Sequence, residues 1–184
     1  LYLSHSMKRA ADALSAPLPG ISGEIAAKLQ KSPQRLGIVG CGKIAEHHVR
    51  ALLPLVNQGC LIVSALVDTR QDRRRLIDGM LGSARTPDCV EADDLSMLLS
   101  LEDTLGEDMR TSAMLIALPH DLHVDAASQA LKAGKHVLLE KPIATNIREY
   151  QQLAAVAASS KGILFVAEQS PYWPEVHKAI ELIK

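Results

Sequence analysis

The sequence has no surplus of either charge, no long apolar run, no paired cysteines and no internal repeat, and each absence removes a class of function. Lys and Arg number 20 against 21 Asp and Glu in 184 residues, so no basic field draws the chain onto nucleic acid or an anionic membrane. No apolar stretch reaches the roughly 18 residues a membrane-spanning helix requires. A soluble protein with neither nucleic acid nor membrane as partner is expected. The cysteines, Cys41, Cys60 and Cys89, are odd in number and lack Cys-x-x-Cys spacing, which argues against a disulfide framework or a zinc site. A reducing, cytoplasmic setting is the simplest expectation, with Cys41 a small apolar filler rather than a redox centre. His47 and His48 are adjacent and cannot share a helix face, so they read as surface or packing residues, and no metal site is expected.

What is present is enough apolar residue, 47%, to bury one core of ordinary domain size. Residues 1–33 read as an extension outside it: they begin with Leu1 and carry Pro17, Pro19, Gly20 and Gly23. A flexible arm fits them; a targeting remnant is the alternative, weakened by Asp12 and Glu24. Ile21, Ile25 and Leu29 fall four apart and suggest a short helix.

From residue 34 strands and helices alternate. Apolar runs at Leu36–Val39, Leu61–Val67, Thr86–Val90, Met114–Leu118, His136–Leu139 and Ile163–Val166 are expected strands. Between them lie helical patterns: Lys43 to Leu53 with Pro54 ending or bending it, Gln71 to Leu81, Asp94 to Leu101, a stretch from Val124 stopped at Gly134, and one capped by Thr145 or Asn146 and running to Ser159. Glu102 to Arg110 reads as a polar loop or insertion. Strands separated by helices of this length imply βαβ units, hence an α/β fold with a doubly wound parallel (Rossmann) sheet over residues 34–168.

Two motifs carry chemistry. Gly40-x-Gly42-x-x-Ala45 follows a strand and opens a helix: Gly40 permits the turn, Gly42 the approach of a pyrophosphate, and Ala45 close helix packing, while amides at Lys43 and Ile44 begin the helix. A methyltransferase shares this turn, and a plain structural turn is also compatible. Asp68, at the end of the next strand, suits the adenosine ribose hydroxyls and favours NAD. Arg70 and the run Arg73-Arg74-Arg75 could instead meet the 2′-phosphate of NADP, or be a solvated helix face.

The second motif is Glu140-Lys141-Pro142. With the glycine turn and Leu118-Pro119-His120-Asp121-Leu122-His123, it resembles, in order and spacing, the glucose-fructose oxidoreductase family, Gfo/Idh/MocA, over Arg35 to Lys184. The resemblance implies NAD(P)-dependent hydride transfer to or from a sugar, polyol or related substrate. It implies Lys141 as the catalytic proton carrier and cofactor neighbour, Glu140 as the group that holds it, Leu118 and Pro119 at the nicotinamide side, and His123 near the cofactor, with helix packing as the alternative for His123. It also implies a second, α+β domain that completes the substrate site and through which homo-oligomers could form. Residues 169–184 read as its beginning, so that domain is expected to be essentially missing here. The family's arginine–aromatic pattern is replaced by Pro171-Tyr172-Trp173-Pro174. The chain alone is therefore expected to bind cofactor with little turnover; a non-catalytic dinucleotide-binding module is the alternative.

Overall fold

Residues 22–169 and 173–183 are described by a computed structural model; the expectations for the arm before residue 22 and for Pro171 and Tyr172 lie outside them. Helix α1 (Gly23–Lys31) is capped by the Ser22 hydroxyl, which accepts the Ile25 N–H at 3.3 Å. None of its residues is buried. It rests on the start of the next layer through Gln30, whose amide donates to the Gln58 carbonyl at 3.2 Å.

Six strands follow: β1 (Gln34–Val39), β2 (Leu61–Val67), β3 (Val90–Ala92), β4 (Ala113–Ile116), β5 (His136–Leu139) and β6 (Leu164–Val166). They form one sheet in the order β3-β2-β1-β4-β5-β6, every pair parallel. Helices α2 (Lys43–Asn57), α3 (Gln71–Leu81), α4 (Leu95–Glu102), α5 (His123–Lys132) and α6 (Ile147–Ser159) connect them, and α7 (Pro174–Ile183) follows β6. This is the doubly wound sheet expected from the alternation, and its order reverses between β1 and β4, where such folds open a crevice at the strands' carboxyl ends.

Side-chain alternation divides the core. Leu36 and Ile38 of β1, Leu66 and Leu115 pack with Ala45 and Val49 of α2 and Ile77 of α3 on one face. Val39, Val67, Met114, Ile116 and Leu139 pack with Leu98, Ala127, Leu131 and Leu153 of α4, α5 and α6 on the other. Both faces are covered, which is why the strands read as near-continuous apolar runs. No helix among the described residues is long and apolar enough to cross a membrane.

Three local expectations are corrected. Helix α2 passes through Pro54 to Asn57: Pro54 and Arg50, whose carbonyl loses its intrahelical donor, are both exposed, and Val56 anchors the last turn in the core. Strand β3 begins at Val90, not Thr86, because Pro87 has no N–H to offer a ladder and residues 86–89 turn instead, Cys89 N–H donating to the Thr86 carbonyl at 3.2 Å. Glu102 is no loop residue: it ends α4 almost fully buried, accepting the Thr111 N–H at 2.7 Å and the Lys135 ammonium at 2.5 Å.

Candidate functional site

The turn between β1 and α2 is shaped by its glycines. Gly40 adopts φ +87°, and a Cβ there would stand 2.5 Å from the Ala117 carbonyl oxygen of the chain leaving β4. Glycine alone is accepted at so close an approach with positive φ. Gly42 caps α2 with no side-chain hydrogen bond, and a Cβ on it would meet no atom within 4 Å. Open space therefore lies in front of the first-turn amides of Lys43, Ile44 and Ala45 in a 15-residue helix, an arrangement suited to an anion. A dinucleotide's pyrophosphate fits this cradle.

Asp68, just past β2, closes the turn from the side. Its Oδ2 accepts the Cys41 N–H at 2.8 Å and its Oδ1 the Arg70 N–H at 2.9 Å, so one carboxylate joins the glycine turn to the N-terminus of α3. Burial first, and the Asp68 charge second, push the Cys41 thiol up to about 12. Arg73 donates through Nε to the Cys41 carbonyl at 3.0 Å and through Nη2 to Glu46 at 2.8 Å. Glu46 also takes the Lys43 ammonium at 3.1 Å, and these bonds, Arg73 foremost, bring its carboxyl down to about 2. Two of the three arginines of the run are thus not solvated: Arg73 braces the turn, and Arg74 is buried against Glu91 and Asp93 at 3.1 and 2.8 Å, while Arg75 is exposed. Arg70 remains exposed, paired with Asp72.

A cleft of about 300 Å³ opens above the carboxyl ends of β1 and β2, lined by Val39, Val67, Asp68, Asp93, Leu95 and Leu118 among others. Its mix of apolar walls and carboxylates suits an adenosine, whose base wants apolar contact and whose ribose offers hydroxyl donors.

The other expected residues gather at the ends of β4 and β5. Ile44, Leu118, His123, Glu140 and Lys141 line one small hollow of about 50 Å³. Pro119 is exposed at the start of the short 3₁₀ turn His120–Leu122. His123 is fully buried, with Nδ1 2.8 Å from the Pro142 carbonyl oxygen and Nε2 2.9 Å from that of Leu118; its ring bridges the two turns. The Lys141–Pro142 peptide is cis. Glu140 Oε2 accepts the Lys141 N–H at 3.0 Å, and the Lys141 side chain is exposed at the site.

One participant was missed by sequence reasoning. His48 Nε2 lies 2.7 Å from Glu140 Oε1, because His48 follows Ile44 by four residues and so faces the same side of α2. That spacing was the available signal. On the outer side of this pair runs a groove of about 440 Å³, walled by Ile44, His48, Ala51, Glu140, Phe165 and Ala167 among others.

A glycine turn and a crevice at the switch point of a doubly wound parallel sheet are the architecture of a dinucleotide-binding domain. The chain belongs to the Gfo/Idh/MocA oxidoreductase family, matching its NAD-binding Rossmann domain over residues 34–168. It is 32% identical over 138 residues to the dTDP-3,4-didehydro-2,6-dideoxy-alpha-D-glucose 3-reductase of Actinomadura kijaniata, a match covering 73% of this chain and 36% of that protein. It is 30% identical over 128 residues to inositol 2-dehydrogenase 3 of Saccharopolyspora erythraea, covering 70% and 33%. Among solved structures, the WlbA dehydrogenase of Bordetella pertussis in complex with NADH and UDP-GlcNAcA superposes with a TM-score of 0.67 at 25% identity, over 82% of this chain and 42% of that one. The 3-ketoreductase KijD10 of Actinomadura kijaniata, in complex with NADP, gives 0.64 at 29%, over 83% and 44%. The chain thus spans well under half the length of these relatives.

Proposed function

We propose that this chain is the nucleotide-binding part, centred on residues 34–168, of an NAD(P)-dependent oxidoreductase acting on a carbinol or carbonyl of a sugar, polyol or sugar-nucleotide substrate. Residues 1–33 would then be an N-terminal extension and residues 169–184 the passage toward a substrate domain. The relatives support the class: two are named for acting on a deoxysugar nucleotide and an inositol, and a third is a dehydrogenase in complex with UDP-GlcNAcA.

The glycine turn and the first amides of α2 hold the pyrophosphate, Asp68 the adenosine ribose, and Leu118 and Pro119 the nicotinamide side. Bound there, the nicotinamide supplies or takes the hydride. The chain's own part is the proton. In the oxidising direction Lys141 takes the proton of the substrate hydroxyl as the carbinol carbon loses hydride; in the reducing direction it returns a proton to the forming alkoxide. Glu140 aims Lys141 by holding its backbone N–H, and His123 aims the same loop through the Pro142 carbonyl.

The observation that carries this reading is the placement of an exposed lysine beside the glycine-turn helix, both at the carboxyl edge of one parallel sheet. Fluorescence titration of the chain with NADH tests it. Saturable binding is expected, weakened about tenfold or more in Asp68→Ala, which loses a charged acceptor. A chain that binds no NADH overturns the reading. Turnover by the 184-residue chain alone is expected to be very low, because the hollow beside Lys141 is only about 50 Å³ and orientation of the substrate supplies much of the rate.

A further inference from the structure

The arginines around the adenosine ribose are held by carboxylates, and this bears on which cofactor the site accepts. A 2′-phosphate needs a cation beside the ribose where a 2′-hydroxyl needs an acceptor. Arg73 is committed to Glu46 and the Cys41 carbonyl, and Arg74 to Glu91 and Asp93. Turning outward would cost Arg73 its bonds to the Cys41 carbonyl and Glu46, and Arg74 its pairs with Glu91 and Asp93. Arg75 is exposed one residue further along α3, past the turn that holds the ribose acceptor. Arg70 is the cation that stands on that turn, because its own N–H is bound by Asp68.

The Arg70 guanidinium, however, is engaged as a fork: Nε to Asp72 Oδ1 at 3.2 Å and Nη2 to Asp72 Oδ2 at 2.6 Å. We propose that Asp72 is the residue that determines cofactor preference here, withholding Arg70 from a 2′-phosphate so that the site takes NADH over NADPH. This rests on the nucleotide-site reading above. Asp72 acts by occupying the Arg70 fork, which takes both of its carboxylate oxygens. The hydrogen bond from Arg70 holds the Asp72 carboxyl below its ordinary range, so it stays ionised at any pH at which the cofactor is used. Both side chains are about two-thirds exposed, 68% and 65%, so the restraint is soft, a bias of roughly fivefold in affinity. The device is a bias that one substitution reverses.

The test is a fluorescence titration of the full 184-residue chain with NADH and with NADPH, for wild type, Asp72→Asn, Asp72→Ser and the double variant Asp72→Asn/Arg70→Ala. Wild type is expected to prefer NADH. In either single variant the NADPH Kd is expected to fall about fivefold while the NADH Kd stays within about twofold, and the double variant should lose that gain. NADH binding with an unchanged NADH-to-NADPH ratio in both single variants overturns this inference and leaves the nucleotide site standing. A gain that survives Arg70→Ala also overturns it, since charge removal alone would then explain the effect. Binding of neither nucleotide by wild type overturns the site reading and this inference together.

Discussion

His48 and Glu140 stand 92 residues apart in the chain and 2.7 Å apart in the fold, Nε2 to Oε1. Because the other Glu140 oxygen takes the Lys141 N–H, one carboxylate ties the helix of the glycine turn to the backbone of the lysine. Glu140→Ala is expected to release that amide, raising its hydrogen-exchange rate about tenfold, as loss of one charge-assisted bond implies. Glu140→Gln, which keeps both a donor and an acceptor, should fall between. Exchange at Lys141 unaltered by Glu140→Ala would refute the link.

The two glycines of the turn are expected to fail differently. Gly40→Ala forces a Cβ to within 2.5 Å of the Ala117 carbonyl at φ +87°, so it should lower thermal stability markedly, by more than about 1 kcal/mol. Gly42→Ala meets nothing within 4 Å and should change stability by about 1 kcal/mol or less, yet abolish most NADH binding by filling the phosphate space. Melting curves and NADH titration of both variants separate the effects.

Glu46 makes the glycine turn sensitive to acid. Its carboxyl sits at about 2 in the fold against an ordinary 4.5, so the unfolded chain binds its proton first as pH falls. The stabilisation is complete above about 4.5 and is lost on descending to about 2. Melting temperatures of wild type and Glu46→Gln from pH 7 to pH 2 should converge across that window; a constant difference would contradict the assignment.

Cys41 is expected to be chemically silent. A thiol pushed up to about 12 from 9.0 holds almost no thiolate at neutral pH, and thiolate is the reactive form. Folding favours the protonated thiol, so this contribution is full below about pH 9 and drains as pH climbs toward 12. Labelling with a disulfide reagent at pH 8, followed by peptide mapping, should find Cys41 modified only as the chain unfolds.

At the opposite edge of the sheet from the site, Lys135 reaches Glu102 at 2.5 Å and the Thr111 carbonyl at 2.8 Å. Removing one partner of a buried pair strands the other charge. Lys135→Met should therefore destabilise the fold by about 3–5 kcal/mol in urea denaturation, and adding Glu102→Gln should recover part of that loss, with NADH affinity of the folded chain unaffected.

Much of this molecule was legible in one dimension because the relevant physics is local. A strand that ends in Gly40, a helix that starts at Gly42 and an acid that ends the next strand need only backbone sterics and a fixed order of elements. Asn146 and Gly134 marked helix ends for the same reason: Asn146 Oδ1 accepts the Glu149 N–H at 3.1 Å, and Gly134 adopts φ +76°. The motif Glu140-Lys141-Pro142 stood out as a short string.

What tertiary structure alone decided were partnerships between elements. Pro54 was tolerated because it lies on the exposed side of α2, and the turn at residues 86–89 ahead of β3 is fastened from another strand, Arg35 holding Asp88 at 2.6 Å. Glu102 became a core residue because Lys135 arrives from the start of β5. Arg73 and Arg74, a charge run by sequence, were drawn inward by Glu46, Glu91 and Asp93. For the charged residues the reason is the same. Periodicity and turn chemistry tell a residue which way it points within its own helix or strand, but the charge it meets there depends on which elements the sheet order sets beside it, and that order exists only once the chain has folded.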